Sequence, residues 1–407
     1  MAEKSSTSYG LTPNTTGNGI VPEVEQIIVV DFRQWYQHGF EYVINGYVIP
    51  IWTILNMCIY FLMVYVFLKN GMTTKSHICL IAISVTDSLS AVCPSIMWFY
   101  FFAVRKHFYY LPCAWCRTYH YMTEVIPHIF SGTSFYITIL LSIQRYIAVG
   151  HPFKVDRLCT KRIIIIGICV CVLIAFALKA IFFVHYDYFG ITVPAFIGNG
   201  TMQACAVRAP KWLNMPFYEY LAVIQAVFTF IYHLMPCTVL MIFEFLLIFA
   251  VVRSAETSKK MASSSRAQTI RRRKERQLTY ATLAISSLSL LYGLCASFTQ
   301  ILDFLYLQFG ISVISNNDIR SIVAAFNFLY FIMLPSNFVI TCCLSEAFRK
   351  HLSSVLKPIS KRFKPFSPLT MPFSVSASLS TNNTSFIASN ENLKTPVDLT
   401  NVKSLQI

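Results

Sequence analysis

Apolar runs of about 20 residues or more recur along the chain, separated by short polar and often basic connections. Each run is long enough to cross, as a helix, a hydrocarbon layer roughly 30 Å thick. Seven are read, at about 43–68, 77–104, 117–148, 162–184, 216–252, 277–308 and 319–343. The clearest is "IIIIGICVCVLIAFALKAIFFV" over 163–184, interrupted only by Lys179. The sixth is the weakest, because "ATLAISSLSLLYGLCASFTQ" mixes small and hydroxylated residues, as a helix packed among other helices does. The expected fold class is therefore an all-α membrane protein, a seven-transmembrane helix bundle; six or eight spans are the alternative counts. After the last span, "SEAFRKHLSSVL" (345–356) sets Phe348, Leu352 and Val355 on one helical face and Arg349 and Lys350 on another. That pattern suits a short amphipathic helix lying in the interface.

Composition supports the bilayer as solvent. The chain is 55% hydrophobic and 13% charged, with a mean hydropathy of +0.56, whereas soluble domains carry about 25% charged residues. The first thirty residues lack a charged segment followed by an apolar one, so no cleaved signal peptide is expected. The connection 252–276 holds nine Lys and Arg against two Glu, and Lys154, Arg157, Lys161 and Arg162 follow the third span. Positive residues stay with the cytoplasm, which puts the N-terminal segment (1–42) outside and the tail (357–407) inside a cell membrane. Residues 365–407, rich in Ser, Thr and Asn, have too few apolar groups to fold and read as disordered, with hydroxyls available for phosphorylation. A net charge of +15 spread over juxtamembrane loops fits anionic lipid rather than nucleic acid.

Asn14 and Asn199 begin glycosylation sequons on the expected outer side, while Asn382 and Asn383 begin two on the inner side. Most of the 13 cysteines lie within spans, where a thiol behaves as a small apolar group. Cys113, Cys116 and Cys205 lie near the outer surface, in the compartment where disulfides form.

"SIQRYIAVG" (142–150) ends the third span with Gln144, Arg145 and Tyr146. A charged Arg at mid-membrane is expensive, so this one either snorkels to the interface or has a partner. Glu244 lies in the fifth span at comparable depth, eight residues after Pro236. It pairs with Arg145 in one state of the protein, or stands protonated against a backbone carbonyl. Asp87 lies mid-way along the second span.

The spans, the outside N-terminus and this Arg together resemble a rhodopsin-type (class A) G-protein-coupled receptor over about 45–355. "TEVIPHIFSGTSFYITILLSIQRYIAVGHPF", "MTTKSHICLIAISVTD", "HLMPCTVLMIFEFLLIFAVVR" and "LPSNFVITCCLSEAFRK" are similar to the invertebrate sex peptide and myoinhibitory peptide receptors. The resemblance implies that Gln144, Arg145 and Tyr146, with Glu244, serve G-protein coupling. It implies a polar core of Asp87, Ser134, Asn327 and Asn337, with a sodium ion at Asp87 and Ser134, or instead a protonated Asp87 in a hydrogen-bonded network. It implies helix bends at Pro236 and Pro335 and a disulfide between Cys116 and Cys205, with Cys113 as the rival. No other cofactor is implied.

Departures from the family pattern are Gln144 for the usual acid, Tyr60 for an Asn, Leu334 before Pro335, Phe338 for a Tyr, and Phe298 where span six has Pro. Without that Pro, the activating movement falls to Gly293 or to different packing.

Trp98, Glu124, His128, Trp212 and Asp303 are the ligand-pocket candidates. Many aromatic residues near them also fit a membrane-interface belt. Pro127 and His128 stand where amine receptors carry an Asp, which argues against a monoamine. The implied ligand is a short amidated neuropeptide, Trp-amide peptides leading, with coupling to a Gi/o protein and with arrestin and receptor kinases at the tail. The alternative is a chemosensory or scavenger receptor with little G-protein output. A transporter would show repeats and a charged path, and an enzyme a catalytic motif; neither is evident, and no enzyme activity is expected.

Overall fold

The computed structural model describes residues 28–29, 42–69, 75–104, 110–194, 200–213, 217–260, 266–309 and 316–362. Residues 1–359 make one compact unit, and of a second, 360–407, only 360–362 are described. A two-residue strand, β1 (Ile28–Val29), precedes the helices α1 (Ile44–Lys69), α2 (Lys75–Val104), α3 (Cys113–Gly150) and α4 (Lys161–Phe183). A hairpin follows, β2 (Asp187–Pro194) and β3 (Thr201–Arg208). Helix α5 (217–260) runs through Phe217–Phe228, Thr229–Leu234 and Met235–Lys260, and α6 is Arg266–Phe309. Helix α7 (316–344) consists of Asn316–Met333 and Ser336–Leu344, and α8 is Glu346–Arg362.

Helices α1 to α6 each contain a stretch long and apolar enough to cross a membrane, and α7, broken at Pro335, turns by 100° into α8. The expected seven-helix bundle is the observed fold. Helix α3 is its axis, packed against α2, α4, α5 and α6, while α7 closes the ring between α6 and α1. Burial follows that placement: 56% of the apolar window of α3 is buried, against 17% for α4. The exposed side chains of α4, among them Ile163, Ile166, Leu173 and Phe176, form a lipid face. Thr160 caps α4, its hydroxyl accepting the Ile163 N–H at 3.3 Å.

Two helices outrun their apolar stretches. Helix α6 starts at Arg266, so the basic run 271–276 is helical, and α5 continues to Lys260. Arg, Lys, Gln and Glu are good helix formers, so charge ended the apolar pattern without ending the helix. Among the described residues, four spans also carry wide, π-type turns, at Ile44–Val48, Phe99–Val104, Tyr121–Val125 and Thr229–Leu234. Pro236 follows the last of these, where a missing N–H is absorbed by already irregular backbone.

The core at the Arg145 end is built from Met63, Phe67, Leu80, Ile83, Ile137, Leu141 and Ile285. Helix α8 completes it by inserting Phe348, whose ring lies 5.1 Å from that of Phe67 and 6.0 Å from that of Phe338. Val355 is buried and Leu352 partly so, while Arg349 and Lys350 remain exposed. Truncating Phe348→Ala should destabilise the bundle by about 3 kcal/mol, read as a lower melting temperature of the detergent-solubilised protein. Exposed Lys350→Ala should leave the melt unchanged.

Candidate functional site

The two ends of the bundle are built differently. At one end, Cys116 at the start of α3 is bonded to Cys205 of β3, with Cα atoms 5.4 Å apart. The Cys205 N–H also donates to the Leu111 carbonyl at 2.7 Å, so bond and backbone together hold the hairpin over the helix ends. Cys113 is free, and its thiol lies beside Gly190 of β2. Strand β1 adds to the hairpin antiparallel, Ile28 opposite Val207, which no feature of the polar N-terminal sequence had suggested.

Under the hairpin the aromatic residues pack inward. Trp115 lies 5.2 Å from Tyr100 and 5.8 Å from Phe101, and Phe101 lies 5.6 Å from Tyr119. Trp98 reaches across to Phe331 of α7 at 6.1 Å. These rings are core, while half-exposed Phe99 and Trp212 keep the character of an interface belt. Trp212 stands at the rim, edge-on to Tyr220 at 5.7 Å.

Glu124 and His128 share one face of α3, and His128 Nδ1 contacts the Glu124 carbonyl. The Tyr232 hydroxyl of α5 donates to the His128 carbonyl, which requires Gly132 one turn on: a Cβ there would stand 2.6 Å from the Tyr232 ring. Facing them from α4 is Lys179, buried at 5% exposure. The sequence had marked it only as an interruption. Next to it, His185 accepts or donates at 3.1 Å to the Tyr220 hydroxyl, and burial pushes its imidazole down to about 3, leaving it neutral. Asn14 and Asn199 lie outside the described residues, and the side chains of Asn327 and Asp303 are likewise outside them.

Midway along the bundle, Asp87 Oδ2 accepts from Asn337 Nδ2 at 3.1 Å and from the Tyr60 hydroxyl at 3.4 Å, with the Ser134 hydroxyl also bonded to the carboxylate. Asp87, Ser131, Ser134, Ser289, Tyr330 and Asn337 line a cavity of about 70 Å³. Its oxygen donors are of the type a sodium ion takes, so Asp87 and Ser134 fit that ion.

The same region explains two departures from the family pattern. Pro335 has no N–H, so the Phe331 carbonyl four residues earlier loses its helical donor. Trp52 Nε1 of α1 supplies one at 2.7 Å. The Phe338 N–H turns to the Pro335 carbonyl, which deprives Leu334 of its donor, and the Tyr60 hydroxyl bonds the Leu334 carbonyl instead. Tyr60 therefore bridges α1, α2 and α7, and Tyr330 adds a 2.7 Å bond to Ser90 of α2. Gly293 faces Cys237 and Phe135, where a Cβ would come within 2.6 Å of the Cys237 sulfur, making it a point of close helix approach. Phe298 lies half-exposed on the outside of α6.

At the other end Arg145 is buried at 5% exposure, and its Nη2 donates to the Ser76 hydroxyl of α2. Gln144 Oε1 lies 3.7 Å from the Cys79 thiol, also on α2. Tyr146 packs towards α5, 6.3 Å from Phe243. Glu244 turns the other way, onto the Ser286 and Ser287 hydroxyls of α6, and its Oε1 has no hydrogen-bond partner among the described residues. Arg145 and Glu244 thus have different neighbours in this state, one bonded to α2 and the other to α6.

A bundle of seven apolar helices, tied at one end by a disulfide from α3 to a hairpin and carrying a buried Arg at the other end of α3, defines a seven-transmembrane receptor. The sequence profile of the "7 transmembrane receptor (rhodopsin family)" matches residues 59–344, and the chain belongs to that family of G-protein-coupled receptors. It is similar to the Sex peptide receptor of Drosophila melanogaster, 23% identical over 326 residues, which cover 76% of this chain and 72% of that one. It is also similar to the Sex peptide receptor-related protein 2 of Caenorhabditis elegans, 22% identical over 337 residues, covering 78% and 72%.

Replacing Tyr60→Phe or Trp52→Phe strands a buried carbonyl of α7, at a cost of about 1–3 kcal/mol. Each variant should melt several degrees below the wild type in detergent; unchanged melting would mean that the carbonyls find other donors.

Proposed function

We propose that this chain is a cell-surface receptor for a short amidated neuropeptide, with Trp-amide peptides the leading class, acting through a Gi/o-type G protein. The observation that carries the reading is the pairing of charge with aromatic walls under the hairpin: Glu124 and Lys179 are close enough to interact electrostatically, among Phe182, Phe228, Tyr232 and three histidines. A peptide needs apolar contact area and a few oriented polar groups, and that enclosure offers both. One of the two relatives is named as the receptor of a peptide, the sex peptide, which supports a peptide ligand.

In this reading the disulfide end faces outward and α8 lies on the cytoplasmic side. Peptide binding favours the state in which α6 moves away from α3, freeing Gln144, Arg145 and Tyr146 for the G protein. Glu244 is the acid placed to take Arg145 in one of the two states. A sodium ion at Asp87 and Ser134 would favour the resting state. The Ser/Thr-rich tail takes receptor kinases and then arrestin.

A panel of amidated neuropeptides applied to cells expressing the chain, read by cyclic AMP and calcium, should give a fall in stimulated cyclic AMP with a Trp-amide peptide. A response confined to monoamines would overturn the ligand class. Glu244→Gln should shift basal signalling at equal surface expression, and an unchanged basal level would remove the pairing with Arg145. Glycosidase treatment should shift the mass of wild type but not of a variant carrying Asn14→Gln and Asn199→Gln, because Asn382 and Asn383 face the cytoplasm.

A further inference from the structure

Cys113 and Cys116 are separated only by Ala114 and Trp115, a C-x-x-C arrangement at the start of α3. Cys116 holds the disulfide to Cys205, while Cys113 is free. Such a pair is a recurring setting for thiol–disulfide exchange, because one helical turn brings residues three apart onto the same face. Here Cys113–Trp115 form a single tight turn, and the Cys116 N–H donates to the Cys113 carbonyl.

The hairpin brings the third sulfur to the same place. Cys113 packs against Gly190 of β2, where a Cβ would lie 3.2 Å from the Cys113 sulfur. Gly190 stands directly opposite Cys205 in the pairing of β2 with β3. Residues so paired point to one face of a sheet, with Cβ positions about 5 Å apart. Cys113 therefore lies on the face from which Cys205 reaches Cys116, and a glycine at 190 leaves room for its thiol. Backbone contacts fix the approach: the Cys205 N–H donates to the Leu111 carbonyl at 2.7 Å, and Pro112 pairs with Ala204. Exposure then separates the three sulfurs. Cys205 is fully buried and Cys116 is 3% exposed, whereas Cys113 is half-buried. Exchange depends on access to a disulfide sulfur, which the hairpin denies to reagents from solvent but not to Cys113.

We propose that Cys113 exchanges with the Cys116–Cys205 disulfide, so that the hairpin has two covalent registers on α3. The Cys113 thiol gives up its proton, and the thiolate attacks the Cys205 sulfur. As the Cys113–Cys205 bond forms, the Cys116–Cys205 bond breaks, its electron pair goes to the Cys116 sulfur, and that thiolate takes up a proton. One S–S bond replaces another with no net oxidation, so no oxidant or reductant enters. The tether moves by three residues, about 6 Å along a tight turn. Trp115 stands between the two cysteines and packs on Tyr100 and Phe101, which links that shift to the aromatic cluster under the hairpin.

The test is a disulfide map of the full-length receptor purified in detergent. The folded protein is held in mildly alkaline buffer, which favours the thiolate, and free thiols are then blocked with N-ethylmaleimide in denaturant. Chymotrypsin, cutting after Trp115, separates Cys113 from Cys116 for mass spectrometry. The wild type should show Cys205 joined mainly to Cys116, with about 1–10% of molecules carrying a Cys113–Cys205 bond and a blocked Cys116. That second form should disappear in Cys113→Ser. In Cys116→Ser the Cys113–Cys205 bond should form in most molecules, and the variant should reach the cell surface. A wild-type map without the Cys113–Cys205 bond would overturn the exchange whatever the variants do, and it requires no variant to fold. Cys205 joined at random to cysteines of the spans would be scrambling of unfolded protein and would count equally against it.

Discussion

Pro335 removes a backbone donor from α7, and the helix can stay buried at that point only because α1 restores what was lost. Trp52 and Tyr60 bond the two freed carbonyls, at Phe331 and Leu334, and Tyr60 extends the same hydroxyl towards Asp87. In a bilayer no water is at hand to do this, so a proline-broken helix depends on its neighbours' side chains. The position of α7 relative to α1 and α2 follows from those bonds. So does the Asp87 cavity, since Asn337 reaches Asp87 from the segment just after the break. The break further sets the start of the last piece of α7, whose Phe338 meets Phe348 of α8.

Two specialised ends are thereby held on one scaffold. Beneath the disulfide-tied hairpin, charged and aromatic groups of α3, α4 and α5 are concentrated in a small volume. At the far end of α3, Arg145 is bonded to α2 and Glu244 to α6. The same helix runs through both, and α6 is the element that touches the Asp87 cavity, Glu244 and α5 together. Coupling between such ends needs an element with two arrangements whose balance both ligands bias. At Gly293, α6 approaches Cys237 of α5 and Phe135 of α3 closely, so the three helices meet there.

The bundle was legible in the sequence because the bilayer imposes a length and a polarity that few other folds require. Helix α8 was legible for the same reason, from three apolar residues on one face. The Cys116–Cys205 bond came from family resemblance and is present. Other features lacked a local signal. Strand β1 is two residues in a polar segment, paired with a hairpin far along the chain, and nothing nearby announces such a partner. The basic run in the first turns of α6 looked like a loop because charge was read as an end of structure, although those residue types favour helix. Tyr60 and Leu334 looked like losses because each was judged alone; in three dimensions the phenol of one serves the carbonyl of the other. Lys179 was passed over because a single charge in an apolar run has no periodicity, and only its neighbours on α3 and α5 give it meaning.

The central claim is that a peptide site at one end and a G-protein site at the other belong to one two-state bundle. Linkage requires the coupling to be reciprocal: if peptide promotes G-protein binding, the bound G protein must tighten peptide binding by the same factor. The direct measurement is the affinity of a labelled Trp-amide peptide for membranes containing the receptor and Gi/o heterotrimer, with and without a non-hydrolysable GTP analogue. The nucleotide should release the G protein and weaken peptide binding by about 5-fold or more. Specific binding with the same affinity in both conditions would contradict the account and describe a peptide-binding bundle without output.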